Sequence, residues 1–156
     1  MVQAIPSGYA GVTPYLIIRG AARALDFYKK AFDAAEVMRF PGPNSTIGHA
    51  EIKIGGGVVM LADEVTDSPY RSPAAFGGTP VSLMFYVGDV DKCFARAIAA
   101  GATVQRAVQD QFYGDRSGTL VDPFGHIWTI ATHVEDVSPE EMKRRMDAMT
   151  ASGQGA

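Results

Sequence analysis

The sequence predicts an α+β fold in which one β-α-β-β-β module is written twice, with a helix added at the C-terminus. Three observations carry that expectation. First, Leu120-Val121-Asp122-Pro123-Phe124-Gly125-His126-Ile127-Trp128-Thr129-Ile130 sets a turn between two apolar runs. Pro presets φ, Asp can bond its own backbone and Gly tolerates positive φ, so the stretch reads as a hairpin. Second, Ile52-Lys53-Ile54-Gly55-Gly56-Gly57-Val58-Val59-Met60-Leu61 has the same shape 68 positions upstream, placing Gly57 on Gly125, Met60 on Trp128 and Leu61 on Thr129. Third, Ile18-Arg19-Gly20-Ala21 overlays Val87-Gly88-Asp89-Val90 at a shift of 69.

The elements follow in order. Residues 1–11 are punctuated by Gly and Pro and form an irregular arm; residues 13–18 read as the first strand. Ala21, Ala24, Leu25, Tyr28 and Phe32 recur at helical spacing and mark one apolar face. A short strand at 36–40, a Pro-Gly-Pro-Asn loop, and strands at 47–54 and 58–63 complete a first module over 11–63. Residues 64–79 are rich in Pro, Ser, Gly and Asp without periodicity and form the connector. The second module, 80–133, repeats the plan. It has a strand at 81–87, Asp89 as helix N-cap, the stripe Val90, Cys93, Phe94, Ala97 and Ile98, and Gly101 as stop. A strand at 103–108, a polar loop at 109–116 and the final hairpin complete it. Ser138-Pro139-Glu140-Glu141 then supplies a capping box for a helix within 134–150. Met142, Met146 and Met149 make a stripe on it, fit for docking on its own domain or on a second copy, and residues 151–156 form a tail.

Bulk properties narrow the function. The chain has 156 residues, 47% of them apolar, and a net charge of −3. That balance gives no electrostatic reason to expect nucleic acid. No apolar run approaches the roughly 20 residues a membrane span needs. The first residues lack the basic and apolar regions of a signal peptide. The single cysteine, Cys93, falls on a helical core stripe and suits a reducing compartment, so a cytoplasmic protein is expected.

Two tandem modules, with Leu25-Asp26-Phe27-Tyr28 in the first helix and Asp122-Pro123-Phe124-Gly125-His126 in the last hairpin, resemble the vicinal oxygen chelate superfamily over residues 11–133. His49-Ala50-Glu51-Ile52, Gly114-Asp115-Arg116 and Trp128 are similar to its PhnB-like, glyoxalase/bleomycin-resistance branch. The resemblance implies half-cups that face one another, often across subunits, and therefore a homodimer. It also implies metal-ligand positions on the first and fourth strand of each module. Carried over, these fall on Thr13, Leu61, Ser82 and Thr129, which are not the His or Glu donors a divalent ion wants. No metal and no other cofactor is expected.

Strand alternation then sends Tyr15, Ile17, Val59, Asp63, Met84, Tyr86, Ile127 and Ala131 into the cup with those four, and Leu16, Met60, Phe85, Trp128 and Ile130 under the helices. The expected ligand-binding set is Tyr15, Glu51, Ser82, Tyr86, Tyr113, Arg116 and Thr129, with no catalytic residue assigned. Arg116 and Tyr113 could close over an anionic or planar ligand; alternatively Arg116 pairs with Asp110 or Asp115 on a surface loop. His49 and Glu51 share a strand face, either as an acid/base pair or as exposed polar residues. His126 reads as a hairpin residue bonded to backbone. The expectation is a metal-independent protein that sequesters a hydrophobic or aromatic small molecule. The alternative is a lyase, isomerase or dioxygenase with a displaced or substrate-borne metal.

Overall fold

In a computed structural model, which describes residues 2–151, the chain forms two four-stranded mixed sheets. The first module comprises β1 (Tyr15–Ile18), α1 (Ala21–Phe32), β2 (Ala35–Pro41), β3 (Ile47–Ile54) and β4 (Gly57–Asp63). A connector carrying the single-turn helix α2 (Pro73–Phe76) leads to β5 (Ser82–Tyr86), α3 (Val90–Ala99), β6 (Thr103–Asp110), β7 (Asp115–Val121) and β8 (Ile127–His133). Helix α4 (Pro139–Ala151) follows. The sheet orders are β1-β4-β3-β2 and β5-β8-β7-β6, so each module places its first strand parallel to its fourth and leaves its second at the edge.

The helices form where the apolar stripes fall. Ala21, Ala24, Leu25, Tyr28, Ala31 and Phe32 are all buried along α1, and Val90, Cys93, Phe94 and Ala97 along α3. Asp89 caps α3 by accepting the Lys92 N–H at 3.0 Å. Helix α1 lacks a capping side chain at Gly20 and borrows one from β4. One oxygen of Asp63 accepts the N–H groups of Gly20 and Ala21 at 2.9 Å each, and the other accepts Ile47 N–H at 2.7 Å. A carboxylate there satisfies orphan donors and complements the helix dipole.

The two helices pack on each other, and both modules share one core. Its centre is aromatic: Phe32 lies 5.1 Å from both Phe85 and Trp128, and Tyr28 lies 5.5 Å from Trp128, between ring centroids. Such tilted and edge contacts add to the apolar area that each ring removes from water. With the helices occupying one face of each sheet, the opposite faces are open.

Several boundaries differ from the sequence expectation. Strand β1 begins at Tyr15, because Pro14 lacks a donor and contributes only its carbonyl, to Met60 N–H at 2.9 Å. The polar loop at 109–116 shrinks to four residues as β6 and β7 extend toward each other. Gln111 N–H reaches Asp115 O at 2.7 Å and Gly114 N–H reaches Gln111 O at 3.1 Å.

One correction concerns the repeat itself. Ile52 pairs with Val59 in the first hairpin and Leu120 with Trp128 in the second, so the second turn is one residue longer. The shift is therefore 68 before the turn but 69 after it, and Thr129 matches Met60, not Leu61. Because side chains alternate, that single residue inverts the face of β4. Leu61 is fully buried against Leu16 and Ala50 in the core and Val59 is buried beside it, while Met60 lies on the open face.

Helix α4 starts as expected, with Ser138 Oγ accepting the Glu141 N–H at 3.2 Å. None of its residues is buried. Arg145 ties it down through a two-armed contact with Glu135 at 2.7 and 2.8 Å, another with Glu141 at 2.8 Å, and Phe112 O at 3.3 Å. Residues 152–156 of the expected tail lie outside the described residues.

Candidate functional site

Register fixes which side chains meet on the open faces. In the first sheet Tyr15 pairs with Met60, Met60 with Glu51 and Glu51 with Met38, one row running across all four strands. In the second sheet the corresponding row is Met84, Thr129, Thr119 and Arg106. These rows lie opposite the helices and form the floors of two concave faces.

On the first face the polar groups connect. Tyr15 Oη lies 2.9 Å from His49 Nδ1, and His49 Nε2 lies 3.2 Å from Glu51 Oε1. Tyr9, from the N-terminal arm, donates to the other Glu51 oxygen. Glu51 is buried, and the Tyr9 hydroxyl, with His49 second, holds its carboxyl below the usual range despite that burial. Burial, with the Glu51 charge second, pushes the Tyr15 phenol up. The ring of Phe40, exposed on edge strand β2, stacks beside His49 at 6.4 Å. A cavity of about 510 Å³ opens beside this face, lined by Tyr15, Ile17, Gly48 and Tyr70 among others. His49 and Glu51 are therefore a linked pair on an interior strand, not surface residues at an edge.

The second face is richer in hydroxyls. Thr119 Oγ1 and Thr129 Oγ1 are 3.0 Å apart, and Arg106 Nη2 contacts Ser117 Oγ at 3.3 Å and Thr119 Oγ1 at 3.4 Å. Ser82, Arg106, Thr119, Ile127 and Thr129 line a cavity of about 540 Å³. At the other end of the same face Tyr86 donates to Asp115 Oδ2 at 2.7 Å, and the second Asp115 oxygen lies 2.8 Å from His133 Nδ1. Asp115 is itself buried. That carboxylate raises the Tyr86 phenol, and it raises His133 with help from Asp136.

Of the residues expected from sequence, Tyr15 and Glu51 meet on the first face, while Ser82 and Thr129 share the 540 Å³ cavity of the second with Tyr86 on the same sheet. Tyr113 lies in the turn before β7, its ring edge-on to Phe112 at 5.2 Å. Arg116 is elsewhere. It alternates with Ser117 onto the helix side of β7, with Gly118 and Leu120, and is clamped by Asp91 at 2.7 and 2.8 Å and Asp110 at 3.0 Å. A guanidinium held by two carboxylates is not available to close the cup, so that expectation is corrected.

Arg106 was missed from sequence because two register shifts in β6 hide its facing from simple alternation. His126 lies in the hairpin, where its carbonyl accepts the Asp122 N–H at 2.9 Å, and it is buried. Its backbone N–H bonds Asp122 Oδ1 at 3.0 Å, and burial pushes its ring pKa down. Its Nε2 has no partner among the described residues.

The donor chemistry can be tested against a metal. At the first- and fourth-strand positions the open faces present Tyr15, Met60, Ser82, Met84 and Thr129. Thioethers and neutral hydroxyls are poor partners for the divalent ions that prefer imidazole and carboxylate. No group of three His, Cys, Asp or Glu suited to an ion occurs among the described residues. The side chains at these positions do not fit such a metal. Among the described residues no helix is long and apolar enough to cross a membrane.

Comparison with known proteins places this geometry. The model of the Glyoxalase/Bleomycin resistance protein/Dioxygenase superfamily matches residues 12–130. The uncharacterized protein Mb0911c of Mycobacterium bovis is 44% identical over 147 residues, covering 92% of this chain and 95% of its own length. The crystal structure of TioX from Micromonospora sp. ML1 superposes with a TM-score of 0.63 at 29% identity, over 83% of this chain and all of that one. A PhnB protein from Bacillus cereus, described as a putative 3-demethylubiquinone-9 3-methyltransferase, superposes with a TM-score of 0.60 at 21% identity, over 78% of this chain and 98% of that one. At that identity the last likeness shows the fold.

Proposed function

Since the chain belongs to the Glyoxalase/Bleomycin resistance protein/Dioxygenase superfamily, we propose that it is a metal-independent binding protein, holding a small aromatic or otherwise hydrophobic molecule against its open sheet faces. The observation that carries this reading is the lining of those faces. Tyr15 and Met84 are each 49% exposed and Tyr86 55%, large side chains left uncovered beside Thr129 and Ser82. Flexible thioethers and aromatic rings supply area and stacking, and the hydroxyls orient a ligand through a few hydrogen bonds.

The open faces and edges also support a twofold homodimer. Every residue of edge strand β2 is exposed, including Val37, Met38 and Phe40, and Met146 projects from α4. A second copy covering these surfaces would remove both an unpaired edge and apolar area from water. The single buried cysteine, its thiol pKa raised by burial, supports a reducing cytoplasmic setting.

The test has two arms. Metal analysis of the purified, dialysed protein should find less than about 0.2 equivalents of Ni, Zn, Fe, Mn or Co per chain, given the donor set. A thermal-shift screen of aromatic metabolites and peptide-like antibiotics should yield ligands whose effect weakens in Tyr86→Ala. Near-stoichiometric retained metal would overturn the first claim, and hits indifferent to the variant the second. Sedimentation should show a dimer at micromolar concentration.

A second reading rests on one observation, the Tyr15–His49–Glu51 chain. A phenol, an imidazole and a carboxylate in hydrogen-bond contact are a proton relay suited to a lyase or isomerase. If a screened ligand is turned over, His49→Ala should abolish turnover while leaving binding intact.

A further inference from the structure

The floor of the second concave face holds a cation without a counter-charge. Most arginines of the described chain close on carboxylates, as Arg116 does on Asp91 and Asp110 and Arg145 on Glu135 and Glu141, and Arg23, which has none, lies instead over the Phe124 ring. Arg106 touches only Ser117 Oγ and Thr119 Oγ1, through one terminal nitrogen and at 3.3 and 3.4 Å, long for such bonds. It takes part in no ion pair among the described residues. The one carboxylate on the same face of β7, Asp115, is already held by Tyr86 and His133.

A guanidinium has five donors in a planar fork, so most of those on Arg106 remain to be satisfied. Arg106 lines the 540 Å³ cavity together with Thr79, Ser82, Thr119 and Thr129. Beyond Thr129 the row continues to Met84, and Tyr86 stands two residues along β5. An oxyanion seated at Arg106 would take two parallel N–H bonds, with hydroxyls to cover its other lone pairs. An apolar or planar body attached to it would extend over Thr129 toward Met84 and Tyr86.

We propose that Arg106 is the anchor of an oxyanion subsite in the second concave face, and that the molecule bound there carries a terminal carboxylate or phosphate on an apolar or aromatic body. This rests on the reading of the open faces as a ligand site and adds its charge class.

The full-length protein is titrated with benzoate, phenyl phosphate and neutral benzamide at fixed ionic strength, following backbone amide NMR shifts. The wild type should bind at least one of the two anions at least tenfold more tightly than benzamide, with the largest shifts at Ser82, Arg106, Thr119 and Thr129. Tighter phenyl phosphate assigns a phosphoryl head and tighter benzoate a carboxylate. R106Q, with its spectrum otherwise preserved, should bring the anions level with benzamide. R106K, which keeps the charge without the fork, should recover part of the difference and serves as the second variant should R106Q not fold. If benzamide binds this face as tightly as both anions, or R106Q leaves the preference unchanged, the oxyanion subsite is wrong while the ligand-binding reading stands. Absence of saturable binding by all three probes at millimolar concentration counts against both.

Discussion

Tyr28 of the first module donates its hydroxyl to Asp122 Oδ2 of the second at 2.7 Å, across 94 positions of sequence and in a fully buried setting. The same oxygen accepts the Trp128 Nε1–H at 2.9 Å, and the other accepts the N–H groups of Phe124 and His126. One carboxylate thus shapes the last turn, orients the core tryptophan and ties helix α1 to the far hairpin. Burial, with the Asp122 charge second, pushes the Tyr28 phenol well above its ordinary value.

Removing either partner should therefore destabilise both modules together. Tyr28→Phe removes one bond to a charged group, a loss of about 1.5–3 kcal/mol. Asp122→Ala strands two buried side-chain donors and two turn amides, and should cost more than Tyr28→Phe. Urea unfolding followed by tryptophan fluorescence and by circular dichroism should give coincident transitions for both variants. Separate transitions would show that the modules unfold independently.

Trp128 and Tyr86 should separate stability from binding. Trp128 is 2% exposed and lies among Tyr28, Phe32 and Phe85, so Trp128→Ala should cost on the order of 3–5 kcal/mol. Tyr86→Ala should move the melting temperature far less, because over half of that side chain is already in water. Its effect should fall on ligand affinity, at roughly 1–3 kcal/mol for a lost aromatic wall. A Trp128→Ala protein with unchanged melting temperature would contradict the core assignment.

The two modules, the amphipathic helices and the α4 cap were legible because each rests on a local pattern that tertiary contacts do not override. The face of β4 was not. It depends on the length of two turns, and the two hairpins align on Gly57 and Gly125 between apolar runs while their turns differ by one residue in span. The roles of half-buried Asp63 and buried Asp122 were equally hidden, since a carboxylate beside a turn gives the same sequence signal whether it meets water or orphan amides. Arg106 was hidden because register shifts on both sides of it obscure its facing, and Arg116 because the loop expected there is strand, whose alternation turns it to the helix side.

Cysteine labelling can check that inverted face directly. The native thiol, Cys93, is 3% exposed, so the background should be low. Met60→Cys and Thr129→Cys should react with a maleimide in the native state. Leu61→Cys should stay protected until denaturant is added, as a buried core position does. Rapid native labelling of Leu61→Cys with protection of Met60→Cys would restore the shift of 68 beyond the turn.

Gly114 should prove sensitive to the smallest substitution. Its φ is +97°, and a Cβ added there would stand 2.0 Å from the Glu135 carbonyl oxygen. Its own carbonyl accepts the N–H groups of Val134 and Glu135, holding the segment that leads to α4. Gly114→Ala combines backbone strain with that clash, so about 1–3 kcal/mol should be lost. Limited proteolysis should show cleavage within 134–151 before any cut in the sheets. Equal resistance in wild type and variant would mean that α4 is held by Arg145 alone.

His133 provides the pH dependence. Asp115 at 2.8 Å, then Asp136 at 3.0 Å, raise its pKa above 6.5, since both carboxylates favour the imidazolium. A group whose pKa is higher folded than unfolded stabilises the fold fully below its unfolded pKa. That contribution is lost as pH rises through the folded value. The melting temperature should accordingly show a small decrease as pH climbs above 6.5, on top of any other titration, and Asp115→Asn should flatten it. The same substitution should lower the His133 pKa read from its ring proton shifts, and Asp136→Asn should lower it less. A His133 that titrates at or below 6.5 in the wild type would mean that Asp115 is committed to Tyr86 and does not hold the imidazolium.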